Sequence, residues 1–343
     1  MRRIRRKKEK QKKKIIIIST FLFLIIMTSG YAAFSTNITL HAKGNIKEPS
    51  RVIQSWDENS QTDFHSDYYK QNIVSITFLD NNNVPDNAAE SWDVSEDGKG
   101  GVKAWIVPNS EDNTKYDLYI GAKDGVIANE DSGYLFYNFR ELKEINFNNN
   151  YDTSNAKDMS FMFRCCANLE SIDLSTLDTS NVTSMYAMFC MWDSSIGKYI
   201  SSKLSMINFG SNFDTSNVTN MRDMFAGLTE LKELDVSNFN TSNVTTMYHM
   251  FDTCRSLTTL DVSNFNTSKV TDMNQMFGGL SSIKRLNLCS FDTSKVTDMS
   301  YMFGYTYNLE RVYVGTGWNT NNVTNNTGMW ESSNISQVTT GMC

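Results

Sequence analysis

Histidine, cysteine and aspartate are the residues of this chain that offer chemistry, and their spacing limits what that chemistry is. The histidines are His41, His65 and His249, and none has a His, Cys or Glu at the spacing of a metal motif. His249 and Cys254 fall in one repeat, which brings a Cys–His nucleophilic pair to mind. Yet other repeats put Ala, Asp, Gln or Tyr where His249 stands, so catalysis there is not expected. Of the six cysteines, Cys166 and Cys254 are equivalent, each three residues after the Phe of a Met-Phe pair, as small buried fillers would be. A disulfide from Cys165 or Cys289 is the competing reading. Asp152, Asp178, Asp214 and Asp292 recur one repeat apart and would stack into a calcium ladder. Asn240 and Asn266 fill the same position, and each is followed by Thr-Ser, so turn formation and helix capping are the better explanation. No phosphate loop or nucleophile elbow is present. The expectation is a protein without catalysis, metal or cofactor.

The elements that position these residues come from one phrase, Asp/Asn-Thr-Ser-Asn/Lys-Val-Thr-x-Met-x-x-Met-Phe. It begins at Asp152, Asp178, Asp214, Asn240, Asn266 and Asp292, with Ala156 replacing Val in the first copy and a degenerate copy from Asn319. The intervals are 26, 36, 26, 26, 26 and 27 residues. Such a period means coils that bury their apolar faces only by stacking. Before each phrase an apolar pair alternates with polar residues, as in Ile145/Phe147, Leu234/Val236 and Leu260/Val262, which reads as a strand. Within the phrase Val244, Met247 and Phe251 lie at i, i+3 and i+7, the stripe of a short helix capped by Thr241-Ser242 and ended near Gly227, Gly278 or Gly304 in the equivalent copies.

Strands stack roughly 4.8 Å apart and helices roughly 10 Å apart, so coils carrying both must fan out. The expected fold class is therefore an α/β repeat: a curved leucine-rich-repeat solenoid, parallel strands on the concave side and short helices on the convex side, with a small β-rich N-terminal cap. The boundaries expected are a basic leader with signal peptide or membrane anchor over 1–34, a linker and start of the cap over 35–72, the cap over 73–132, and the solenoid over 133–343. Residues 80–100 read as a loop. The 36-residue interval holds a ten-residue insertion within Cys190–Ser205, expected to project from the coils.

Residues 1–14 carry ten Lys/Arg and one Glu, leaving 22 basic and 37 acidic residues in the remainder, a net charge of −15. That acidic body disfavours nucleic acid as a partner. The basic head precedes an apolar run over 15–34, a secretory signal or an anchor about 20 residues long. Either reading exports the repeats. No cysteine for lipid attachment follows the run, and no wall-sorting motif is present.

The recurring Leu-Asp-Val-Ser-Asn-Phe-Asn-Thr-Ser-Asn-Val-Thr-x-Met-x-x-Met-Phe lines resemble the BspA-like leucine-rich-repeat surface proteins of bacteria. The nearest subgroup is the one long filed as a domain of unknown function in surface lipoproteins. The likeness covers about residues 100–330, including Val102-Lys103-Ala104-Trp105 and Leu118-Tyr119-Ile120-Gly121. It implies an exported protein, secreted or held at the cell surface, used in adhesion or recognition. The partners would be host or bacterial surface proteins or polysaccharide. The alternative is an assembly protein that stacks end to end. The outward strand positions define the expected concave binding face: Glu144, Asn146, Asp173, Asn208, Glu233, Asp235, Thr259, Asp261, Arg285, Asn287, Arg311 and Tyr313.

Overall fold

In a computed structural model of the protein, which describes residues 48–341 and Cys343, the repeats stack as expected, but none contains a helix. The leader, with the export signal or anchor expected over 15–34, lies outside the described residues. Among the described residues the helical elements are a 3-10 turn at Asp63–His65 and a four-residue helix, α1, at Asp67–Lys70, both ahead of the repeats. The expected α/β leucine-rich-repeat solenoid is thus overturned: the repeats are strands and turns.

The reason lies in Met-x-x-Met-Phe. It folds as two successive four-residue turns, each with its third residue in the left-handed region, except after Phe189, where the insertion replaces the second turn and Met191 has no positive φ. Phe161, Ala187, Asp223, His249, Gln275 and Tyr301 occupy the first such position with φ between 52° and 62°. Cys165, Gly227, Thr253, Gly279 and Tyr305 occupy the second. A right-handed helix tolerates none of these. In the coil of Phe251, the Met250 amide closes the first turn on the Met247 carbonyl at 3.1 Å, and the Cys254 amide closes the second on Phe251 at 3.3 Å. The apolar corners of two such turns fall at the same i, i+3 and i+7 spacing as a helical stripe. Left-handed non-glycine residues cost about 1–3 kcal/mol each. What they allow is a ladder between coils: the amides of Met247, His249, Phe251 and Thr253 donate to carbonyls of Asp272, Asn274, Met276 and Gly278 at 2.8–3.1 Å. Successive coils therefore sit one backbone hydrogen bond apart on the turn side. The wide convex face that required a horseshoe does not exist.

Inside the turns the Met-Phe phenylalanines form a stacked column. Phe225–Phe251 and Phe251–Phe277 have centroids 5.7 and 6.0 Å apart with rings within 8° of parallel. The column ends with Trp330 stacked on Phe303 at 4.6 Å. Buried threonines fasten coil to coil. Thr241 donates its hydroxyl to the Asn266 carbonyl at 3.0 Å and accepts the Asn266 amide at 2.8 Å, and Thr215 and Thr267 do the same one coil away on either side.

The strands, in chain order, are β1 (Ile73–Leu79), β2 (Glu90–Asp93), β3 (Val102–Pro108), β4 (Tyr116–Ala122), β5 (Val126–Ile127), β6 (Glu144–Asn146), β7 (Tyr151–Asp152), β8 (Ser171–Asp173), β9 (Trp192–Asp193), β10 (Lys198–Tyr199), β11 (Met206–Asn208), β12 (Arg285–Leu288), β13 (Arg311–Val314) and β14 (Thr339–Thr340). They form five small sheets, not one continuous concave sheet. The largest has the order β2-β3-β4-β1-β6, and parallel pairing of β1 with β6 joins the N-terminal region directly to the first coil. Strand β2 lies within 80–100, the segment read as a loop. Residues 48–72 pack onto this region through buried Trp56 and Phe64. At the other end β14 adds to β13, and Cys343 is disulfide-bonded to Cys289 with Cα atoms 5.8 Å apart. Cys166 and Cys254 are buried thiols.

Two substitutions test the stack. Phe251→Ala removes a fully buried ring from an interior coil and should cost roughly 3–5 kcal/mol, whereas Trp330→Ala, at the half-buried end of the column, should cost clearly less. Thr241→Val keeps shape but removes the partner of the part-buried Asn266 amide and carbonyl, at about 1–2 kcal/mol. Urea denaturation of the three variants checks both expectations, and equal losses at Phe251 and Trp330 would show that the terminal coil is covered.

Candidate functional site

The twelve strand-face residues are all at the surface, with Tyr313 alone half-buried. Pairing sets Glu144 beside Ser75, Asn146 beside Thr77, Asp173 beside Asn208, Arg285 beside Arg311, and Asn287 beside Tyr313. Glu233, Asp235, Thr259 and Asp261 lie in coils that form no strand, and with Arg285, Asn287 and Tyr313 they line one shallow, open depression of about 810 Å³. Much of the polarity here has internal work. Asp173, Asp235 and Asp261 each accept the amide of the serine two residues on at 2.9 Å. For Asp173 and Asp235 the hydroxyl and amide of that serine hold the carboxyl below its usual range. Asp152, Asp178, Asp214 and Asp292 close the same kind of turn, as do Asn240 and Asn266, so these are turn carboxylates and cap no helix. Met206, 58% exposed and beside Ser171, is a feature of this face that the reading of polar positions passed over.

A deeper site lies on the turn side, where the insertion falls. The insertion does not project. Its hairpin, β9 and β10, lies flat over neighbouring coils and is tied down at several points. Asp193, buried, pairs with Arg140 from two coils upstream. Arg164 donates from Nε and Nη2 to the Trp192 carbonyl at 3.0 and 2.7 Å. Tyr199 reaches two coils forward and donates its hydroxyl to Asp252 Oδ2 at 2.7 Å. Beneath it Gly227 is obligatory: its φ is +85°, and a Cβ there would sit 2.6 Å from the Tyr199 ring.

Between hairpin and coils is a recess of about 600 Å³, within the range of small-ligand sites. Its floor is Ala187, the small residue where neighbouring coils carry Phe161, Asp223 and His249. Tyr186, Arg222 and Tyr248 form one wall, with the Arg222 guanidinium 4.0 Å from the Tyr248 ring centre and 5.6 Å from that of Tyr186. His249 stacks on Tyr248 at 3.9 Å and faces two carboxylates, its Nδ1 3.5 Å from Asp223 and 3.8 Å from Asp252. Its Nε2 lies 3.0 Å from Asn274 Oδ1. Burial pushes the Asp223 carboxyl up, against the pull of His249 and Arg222. Burial and then the Asp252 charge push the Tyr199 phenol up, which keeps it a donor. Burial raises the Cys190 thiol to about 12, so it is no nucleophile at neutral pH. Cys254 is fully buried and bonds the Phe225 carbonyl, away from His249. Two signals marked this recess in the sequence, the break in period and the small Ala187. What they lacked was any indication that the hairpin folds down.

With this geometry in view, the comparisons with known proteins place the chain. Residues 133–208, 196–309 and 258–339 match the family described as Mycoplasma protein of unknown function, DUF285. The chain belongs to this family. The match follows the stacked coils from the first to the last. No curated protein and no solved structure matches it. Among the described residues no helix of this DUF285 protein is long and apolar enough to cross a membrane, and no group of three His, Cys, Asp or Glu is placed to hold a metal ion.

Gly227→Ala should displace Tyr199 and destabilise the protein by roughly 1–3 kcal/mol, with faster hydrogen exchange confined to the hairpin and the coils it bridges. The Asp223 carboxyl has a raised folded-state pKa. Its contribution is thus present below the unfolded value of about 3.9 and lost as pH rises through the folded value. Asp223→Asn should therefore gain stability relative to the parent between about pH 3 and about pH 7. Urea midpoints of both proteins at the two pH values check the sign.

Proposed function

We propose that the protein is an exported bacterial surface protein that works as a binding and adhesion module, without catalysis. The observation that carries this reading is the strand face: exposed polar residues alternate with buried apolar ones, coil after coil, with parallel pairing at β1/β6, β8/β11 and β12/β13. Such a surface suits a broad, shallow contact with a protein or polysaccharide of a host or bacterial surface. The resemblance to BspA-like surface proteins points the same way. In this reading the segment over 15–34 exports the chain, which is then secreted or held in the membrane by it. The acidic body keeps nucleic acid away.

The test uses the full chain, screened against matrix proteins, glycans and bacterial cells. Asp235→Asn with Asp261→Asn removes two charges yet keeps both turns, because Asn240 and Asn266 close the same turn elsewhere. This double variant should weaken binding of the captured partner roughly tenfold or more with unchanged stability. Unaltered binding of every ligand would place the contact elsewhere, and release of a cleaved ligand would mean an enzyme.

A second reading, end-to-end assembly, has one observation in its favour. The amides of Gly328, Trp330 and Ser332, which correspond to ladder donors in earlier coils, meet no backbone acceptor among the described residues. Sedimentation that rises with concentration, and is abolished by Trp330→Glu, would favour it.

A further inference from the structure

We propose that the recess beneath the β9–β10 hairpin is a binding site for an uncharged oligosaccharide, separate from the strand face. Charge is the first argument. The recess holds Arg164 and Arg222 against Asp223 and Asp252, and each is already engaged. Arg164 is bonded to the Trp192 carbonyl, Arg222 donates to Asp223 at 3.1 Å, and Asp252 accepts from Tyr199 and Thr253. Two groups of each sign line the recess, so neither an anion nor a cation gains a clear advantage there.

Hydrogen-bonding capacity is the second argument. Asp223 Oδ1 accepts no hydrogen bond among the described residues and has only His249 Nδ1 beside it, at 3.5 Å. The Gln275 side chain makes no hydrogen bond among the described residues and lines the same recess. Asp223 and Gln275 flank His249, one in the coil before it and one in the coil after, and each leaves a polar group that a sugar hydroxyl, able both to donate and to accept, can meet. The third argument is the Trp192 ring, 39% exposed at the rim and set edge-on to Tyr199 at 5.2 Å. It offers an apolar face to the C–H side of a sugar ring while the polar groups take the hydroxyls.

An extended peptide fits less well. The coil backbone around the recess is already committed, with the amides of Ala187, Asp223 and His249 bonded to the next coil, so no strand edge is free to pair with it. Asp252 and Gln275 also line a neighbouring hollow of about 490 Å³, bordered by exposed Tyr305 and Tyr307. Two adjacent hollows suit several linked sugar units.

The test is an array of neutral, N-acetylated, sialylated and sulfated oligosaccharides probed with the full chain, followed by titration of the best neutral member with tryptophan fluorescence. The expected result is binding of neutral members, insensitive to salt, weakened roughly tenfold by Trp192→Ala. Gln275→Ala, which removes no internal bond, should weaken it as well and serves if the tryptophan variant loosens the hairpin. Asp235→Asn with Asp261→Asn should leave this binding unchanged, which separates it from the strand-face contact. Preference for charged sugars, binding of no sugar, or equal binding by both recess variants and the parent overturns the proposal.

Discussion

Everything in the repeat region depends on the backbone ladder through the turns. Each coil gives alternate amides to the carbonyls of the next, and residues at positive φ, two in most coils and one in the coil of Ala187, re-aim the chain to do so. Most of those residues are not glycine, so each turn is locally uphill. The strain persists because the ladder, the phenylalanine column and the threonine contacts on both sides over-determine it. A lone coil has none of these, and the structure is cooperative by construction.

This constraint also explains the monotony of the phrase. The Asp or Asn closes a turn on its own following serine, and the first Thr bonds forward to the next coil through both hydroxyl roles. The Asn that follows bonds back, as Asn243 does to the Ser216 carbonyl at 2.7 Å. The second Thr repeats that backward bond, as Thr245 does to Thr219. Val, both Met and Phe fill the interior. Nearly every letter of the repeat is consumed by stacking. The residues free to interact are the two between the methionines and the outward strand positions, and these are where the copies differ.

The insertion shows how such a scaffold acquires a site. A hairpin laid across the coils, over an alanine where neighbours carry larger side chains, converts a uniform surface into a recess. Arg140, Gly227 and Asp252 hold it from three different coils, so the site belongs to the stack and not to the loop alone. The recess rests on residues peculiar to this one interval.

From the sequence alone the repeat period, the inward residues such as Ile145, Leu234, Val236 and Phe251, and the turn role of Asp/Asn-Thr-Ser were legible, because periodicity and side-chain chemistry are local properties. The helices were not legible, and their prediction was wrong. Apolar corners at i, i+3 and i+7 satisfy a helix and a pair of left-handed turns equally, and only the hydrogen bonds offered by neighbouring coils choose between them. Once the helices go, the argument for a curved horseshoe goes too, since the turn side is then spaced by one backbone hydrogen bond and no longer by the width of a helix. The strand face was found by alternation, though not that its aspartates are largely occupied with their own turns. The recess was invisible for a similar reason. Its walls, Tyr186, Arg222, His249 and Asp252, come from three coils, and nothing in the order of residues along the chain says that Tyr199 reaches across two of them to reach a buried carboxylate.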